Sequence, residues 1–283
     1  MRKNIILMGP TGRLGRVCKR ALYPFGTLTV DVIRGGIIRF NDQSTYSLED
    51  AGCLEGNWVV IDASVDYSSL EAFLSWESRK RKFVQQLYND GKLEAYVAFS
   101  SGIVEFDPGF IDDEFKKEYR AAKVTLEKFA TSLNVPIYCP RIFTLIGPET
   151  WAYGKIAWVQ VAKQVIEQGF AMVAYPDEIK SWVAESTIEA QIRDFVSGKH
   201  TKKSEILTPL DGTFTLRDIV NIVSFQFGMS SRLELIVMKS WLDVDYKSTM
   251  PHTMDLQKLT EVLMEVFLTS QHSYQLVTKE SSV

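Results

Sequence analysis

The chain has 283 residues, about twice a typical ~150-residue domain, of which 46% are apolar and 24% charged. That composition excludes a collagen, a coiled coil and a disordered chain, and the length can bury a core without metal or disulfide staples. With 32 basic against 35 acidic side chains the net charge is -3, so the global basic excess of most nucleic-acid binders is missing and no nucleic-acid partner is expected. Three cysteines, Cys18, Cys53 and Cys139, are odd in number and widely spaced, and read as buried thiols in a reducing compartment. Three distant histidines give no local metal motif, and no metal is expected. The apolar run Ile5–Met8 breaks at Gly9-Pro10, too short for a signal-peptide core, and no stretch approaches the ~18 apolar residues of a membrane span. A cytoplasmic protein without a membrane partner is the expectation.

Asn4 to Met8 reads as a buried strand, and Leu14 to Tyr23 as a helix with Leu14, Val17, Cys18, Ala21 and Leu22 on one side. Thr27 to Ile33 is β-branched and strand-like. Trp58 to Ala63 is a second buried strand, and Ser68 to Asn89 a long helix whose run Arg79-Lys80-Arg81-Lys82 reads as a solvated face. A strand over Leu93–Phe99, a helix over Asp113–Leu133 and a strand over Pro136–Leu145 follow. Strands alternating with helices imply right-handed crossovers, hence an α/β fold with a doubly wound parallel sheet of Rossmann type. Beyond Gly147 the spacing predicts helices over Ile156–Gln168, Thr187–Ser197, Leu216–Phe227 and Leu256–Leu268, with short strands at Ala171–Tyr175, Glu205–Thr208 and Leu233–Met238. The division expected is a dinucleotide-binding domain over 1–148 and a smaller α/β substrate lobe over 149–283, its tail frayed from about residue 270.

Gly9-Pro10-Thr11-Gly12-Arg13-Leu14-Gly15 follows a strand and opens a helix. In a dinucleotide site one such glycine makes the tight turn, another lets the backbone approach the pyrophosphate, and the third allows close helix–strand packing. The N–H groups of the helix start then hold the phosphates. Gly9, Thr11, Gly12, Arg13, Leu14 and Gly15 are the candidate cofactor residues here. At the end of the second strand an acidic residue would favour NAD and an arginine NADP. Asp31 lies about three residues before that end, whereas Arg34 occupies it, with Arg13 beside it; NADP(H) is favoured and NAD(H) possible.

Tyr119 and Lys123 are spaced i,i+4 on the helix that follows Leu93–Phe99, so phenol and ammonium share a face. A neighbouring ammonium favours the phenolate and tunes it toward proton transfer. Ser100-Ser101 ends the preceding strand, where open α/β sheets bind ligands.

These residues, with Phe99-Ser100-Ser101-Gly102-Ile103-Val104 and Pro140-Arg141-Ile142-Phe143-Thr144-Leu145-Ile146-Gly147-Pro148, resemble the extended short-chain dehydrogenases/reductases, the NAD(P)-dependent sugar epimerase/dehydratase family. The resemblance covers Met1 to Pro148. It implies Ser101, Tyr119 and Lys123 as the catalytic set, Lys123, Ala63, Ser64 and Ile142 against the cofactor, Ser101 and Thr144 against the substrate, and a homodimer through the helices at Ser68–Asn89 and Asp113–Leu133. Where dehydratases of the family carry two carboxyls, this chain has Gly102 and Ile103, so water elimination lacks its acid and base. Glu105-Phe106 stands where Tyr-Gly is usual, Thr144 where many members have Asn, and only 18 residues separate Ser101 from Tyr119. The expectation is a reductase or dehydrogenase acting on a keto group of a nucleoside-diphosphate sugar, in polysaccharide or related sugar biosynthesis. The alternatives are a nucleotide-sugar 4-epimerase using transient oxidation, and a catalytically silent NAD(P)-sensing protein. Trp151, Tyr153, Lys155 and Trp182 read as packing residues rather than ligand contacts.

Overall fold

The computed structural model of the chain describes residues 3–25, 28–33, 36–40, 44–111, 113–154, 156–173, 176–199, 204–228, 232–235 and 257–268. The N-terminal strand β1 (Asn4–Met8) buries every residue after Asn4. Helix α1 (Arg13–Leu22) leads to β2 (Leu28–Ile33), which pairs parallel with β1. A hairpin absent from the expectations follows, β3 (Ile37–Arg39) and β4 (Thr45–Ser47), both antiparallel to their neighbours. The parallel core resumes with β5 (Trp58–Asp62), α2 (Leu70–Asn89), β6 (Leu93–Ala98), the two-residue β7 (Ser100–Ser101), α3 (Glu114–Ser132) and β8 (Ile137–Ile142). Ser69 and Asp113 cap α2 and α3, accepting from Ala72 and Lys116 N–H groups at 3.0 and 2.7 Å.

The chain continues through β9 (Thr144–Ile146), α4 (Pro148–Tyr153), α5 (Ala157–Gln168), β10 (Phe170–Val173), β11 (Lys180–Ala184), α6 (Glu185–Val196), β12 (Ser204–Leu207), β13 (Gly212–Phe214), α7 (Leu216–Gln226) and β14 (Arg232–Leu235), with a further helix over 257–268. The large sheet runs β12-β8-β6-β5-β1-β2-β3-β4. From β1 the chain moves one way along it to β2, and from β5 the other way to β6 and β8. Right-handed crossovers therefore set α1 on one face and α2 and α3 on the other. Ile6, Met8, Val60 and Tyr96 pack with Trp76, Phe83 and Leu126 on the second face. Full burial of each large apolar side chain contributes about 1.5–3 kcal/mol. The fold class is thus a mixed α/β one with a large, mainly parallel sheet.

The chain divides into two compact units, but not at 148/149. Residues 1–142 and 188–209 form one, 143–187 and 210–283 the other. The strand expected over Pro136–Leu145 is really two: β8 pairs within the large sheet, and β9 pairs with β11 in the second unit. Conversely β12 returns to the first unit, parallel to β8. Hydrogen bonding, rather than a change in sequence rhythm, draws the boundary. In the second unit Trp158, Trp182, Phe214, Ile219, Leu259 and Leu263 form the core. The frayed tail expected from about residue 270, and Lys155, lie outside the described residues. Among the described residues no helix is long and apolar enough to cross a membrane.

Candidate active site

The three glycines of the first loop are constrained in three ways. Gly9 has a φ of 74°, and a Cβ there would lie 2.8 Å from both Cα and Cβ of Ser64. A Cβ on Gly15 would lie 1.9 Å from the Gly9 carbonyl oxygen, so α1 packs on the loop only with glycine there. Gly12 is the N-cap of α1 and supplies no side-chain acceptor. With no acidic residue in its first turn, α1 presents Arg13, Leu14 and Gly15 at an uncapped, electropositive end. Thr11 orients the loop through its carbonyl, which accepts from the Arg16 guanidinium at 2.9 Å. This tight, anion-receptive cradle fits the diphosphate of a dinucleotide.

Asp31 lies in register with Leu7 and pairs with Lys19 at 2.9 Å. Its other carboxylate oxygen is buried without a hydrogen-bond partner among the described residues. Arg34 lies outside the described residues.

Ala63 and Ser64 follow β5 and stand beside Gly9, with the Ala63 N–H donating to the Met8 carbonyl at 3.1 Å. Here the reading of the basic run needs correcting, because Lys80 is 1% exposed. Its ammonium pairs with Asp62 and Glu77, each at 2.8 Å, and donates to the Ser64 carbonyl at 2.8 Å. Its neighbour Arg79 reaches Glu49 at 2.8 Å and lies over the Trp76 ring. Positions 73, 76, 80, 83 and 87 form one helical stripe, and Lys80 occupies the inner side of it. That phase was readable in the sequence, but four successive charges mask it.

Ser101 pairs with Ile142 across β7 and β8. It is buried, and its hydroxyl oxygen accepts from the Ile103 N–H at 3.4 Å. Helix α3 packs against β7 and the turn after it. From that helix the buried Lys123 donates to the Phe99 carbonyl at 3.1 Å, and its ammonium lies 5.5 Å from the Tyr119 ring centroid. One turn on, Glu127 accepts from the Ser100 hydroxyl at 2.6 Å and holds Arg141 in a two-pronged pair at 2.8 and 2.7 Å. Glu105, where the family resemblance expects tyrosine, receives the Thr208 hydroxyl at 2.7 Å and faces Arg141 at 3.5 Å. Arg120 fixes the same loop by donating to the Phe106 and Val104 carbonyls.

Sequence reasoning missed Tyr67. Its ring lies 6.1 Å from that of Tyr119, and Phe73 and Phe115 complete the cluster. Desolvation of its hydroxyl, then the hydrogen-bonded Tyr119 phenol, hold the Tyr67 pKa above the ordinary tyrosine value, although the residue as a whole is exposed.

Thr144 belongs to the second unit, on β9 opposite Trp182 of β11. Trp182 is buried in that core, Trp151 packs on Trp158 and Phe267, and Tyr153 is exposed.

No family model and no curated protein matches the chain. Solved structures do. MoeE5 in complex with UDP-glucuronic acid and NAD superposes with a TM-score of 0.71 at 15% identity, over 96% of this chain and 99% of that one. UDP-N-acetylglucosamine 4-epimerase from Bacillus cereus gives 0.63 at 15% identity, over 83% and 85%. TunA, an NAD-dependent NDP-hexosamine 5,6-dehydratase of tunicamycin biosynthesis, gives 0.61 at 14% identity, over 92% and 91%. The chain shares the Rossmann-type α/β fold of these structures.

Proposed function

We propose that the chain is a nicotinamide-dinucleotide-dependent enzyme that acts on a keto or hydroxyl carbon of a nucleoside-diphosphate sugar. The observation that carries this reading is where the candidate residues fall. Gly9, Ala63-Ser64, Ser101 and Ile142 occupy the carboxyl ends of β1, β5, β6–β7 and β8, which are neighbours in one sheet. Open α/β sheets bind their ligands at those ends. When bound, the dinucleotide supplies or accepts a hydride. In reduction Tyr119 gives its proton to the developing alkoxide, Ser101 orients that oxygen, and Lys123 keeps a positive charge beside the phenol. The sugar-nucleotide part rests on likeness to MoeE5 and the epimerase, a weaker support than the site itself.

Gly102 and Ile103 bring no carboxyl group to the end of β7, which disfavours water elimination and leaves two chemistries. A reductase changes cofactor and sugar together. A 4-epimerase changes the sugar with no net change of cofactor, and the Bacillus cereus neighbour favours this second reading. Incubation with UDP- and dTDP-hexoses and their keto forms, following absorbance of the reduced cofactor and the sugar by NMR, separates them. Dinucleotide binding without either change would instead support the sensing protein.

NADP(H) is the proposed cofactor on the strength of Arg34 and Arg13. NAD, present in the MoeE5 complex, is the alternative. A homodimer through α2 and α3 is also proposed, and light scattering showing only a 32.2 kDa species at micromolar concentration would refute it.

A further inference from the structure

A lysine, an aspartate and a glutamate lie buried together beneath the phosphate loop, each at most 3% exposed. Withdrawing each such ion from water costs several kcal/mol, and well-packed apolar residues in place of a buried ion cluster are often no less stabilising. Stability alone therefore gives a poor account of Lys80, Asp62 and Glu77. Their contacts give a better one, because they converge on one residue. The Ser64 N–H and hydroxyl both donate to Asp62 Oδ1, at 3.2 and 2.9 Å. The Ser64 carbonyl accepts from Lys80 at 2.8 Å, and the Ser64 hydroxyl oxygen accepts from the Trp76 indole at 3.0 Å. Every polar group of Ser64 is thus held by β5 or α2. On its other side Ser64 meets Gly9 so closely that no Cβ fits between them.

We propose that Lys80 is a positioning residue for dinucleotide binding: with Asp62 and Trp76 it clamps Ser64, and Ser64 in turn sets the first turn of the phosphate loop at Gly9. Lys80 itself touches no ligand. The proposal rests on the dinucleotide site argued above, and extends it to a residue on the buried side of α2. Removing the clamp lets the Ser64 turn shift against Gly9, which misplaces the N–H groups that meet the diphosphate.

The test is calorimetric titration of NAD+ and NADP+ into the intact protein, with thermal unfolding of every variant. Lys80→Met leaves two buried carboxylates uncompensated, so both unfolding temperature and affinity fall. The triple variant Lys80→Met, Asp62→Asn, Glu77→Gln removes the charge imbalance while leaving an acceptor at position 62 for Ser64. It should regain most of the unfolding temperature yet bind the dinucleotide at least about tenfold more weakly than wild type, as misplacement of a binding group implies. Trp76→Phe, which changes no charge, should fold normally and bind a few-fold more weakly; it decides alone if neither Lys80 variant folds. Wild-type affinity in the folded variants overturns the proposal and shows the cluster to be a fold element only. If wild type binds neither dinucleotide, the cofactor reading itself fails, and this proposal with it.

Discussion

The Lys123 ammonium lies 5.5 Å from the centroid of the Tyr119 ring while donating to the Phe99 carbonyl one strand away. A single buried cation thus ties the helix that carries the phenol to the strand that leads into Ser101. Tyr119→Phe should lower turnover of the sugar nucleotide by roughly 10²–10⁴-fold, the usual worth of general acid–base help, with dinucleotide affinity little changed. Lys123→Met should weaken both. Wild-type kcat in the Tyr119→Phe enzyme would remove Tyr119 from the mechanism.

Cofactor choice turns on Arg34 and Asp31. NADPH should bind at least about tenfold tighter than NADH, a difference of 1.4 kcal/mol, and Arg34→Ala should remove most of that preference while sparing NADH. Asp31→Asn should leave NADH affinity nearly unchanged, because Asp31 lies two residues before the end of β2 and Arg34 follows that end. A wild-type preference for NADH that Asp31→Asn abolishes would mean that Asp31 serves the ribose instead.

Glu127 joins Ser100 and Arg141, so truncating it takes the acceptor from a buried hydroxyl and leaves the guanidinium its longer pair with Glu105 at 3.5 Å. Glu127→Ala should destabilise the fold by about 3 kcal/mol, the lower end for a broken buried pair, since Arg141 keeps a quarter of its side chain exposed. Urea unfolding of both proteins measures the difference.

The Arg79 guanidinium, then the Ser47 hydroxyl, hold the Glu49 carboxyl at about 2, down from 4.5. A folded-state pKa below the unfolded one stabilises the protein above about pH 4.5, and that contribution is lost as pH falls toward 2. Glu49 is more than half exposed, so solvent screening keeps the effect under about 1 kcal/mol. The stability gap between wild type and Glu49→Gln should therefore narrow between about pH 6 and about pH 3. A gap that widens on acidification would contradict the pairing.

Burial pushes the Cys139 thiol up to about 12 and the Cys18 thiol higher still. Neither should react with a water-soluble disulfide reagent at mildly alkaline pH in a Cys53→Ser background, and both should react in denaturant.

Much of the first unit was legible because local rules and tertiary demands coincide there. β1 is a run of apolar residues ended by Gly9, and Ser69 and Asp113 mark helix starts by their own hydrogen bonds. The β3–β4 hairpin was missed because each strand is only three residues long and the second is wholly exposed. β11 escaped because Lys180 and Ser181 look like surface residues, yet all five of its residues are buried and Lys180 is paired with Glu178. At the site, the glycines and the Tyr119–Lys123 pair announce themselves by spacing. Tyr67 does not, because its neighbours Phe115 and Tyr119 are about 50 residues away in the chain. Contacts of that range leave no local periodicity to read.

The edge position of β12 bears on how the protein is made. β8 is complete at Ile142, but the strand that covers its open side is not synthesised until Ser204–Leu207. Through that interval the nascent chain carries an unpaired edge, the kind of surface that recruits a second chain. The intervening segment that builds part of the other unit must emerge before the sheet can finish. A fragment ending at Pro148 would keep the phosphate loop and Lys123 but retain that raw edge permanently, and should aggregate on expression.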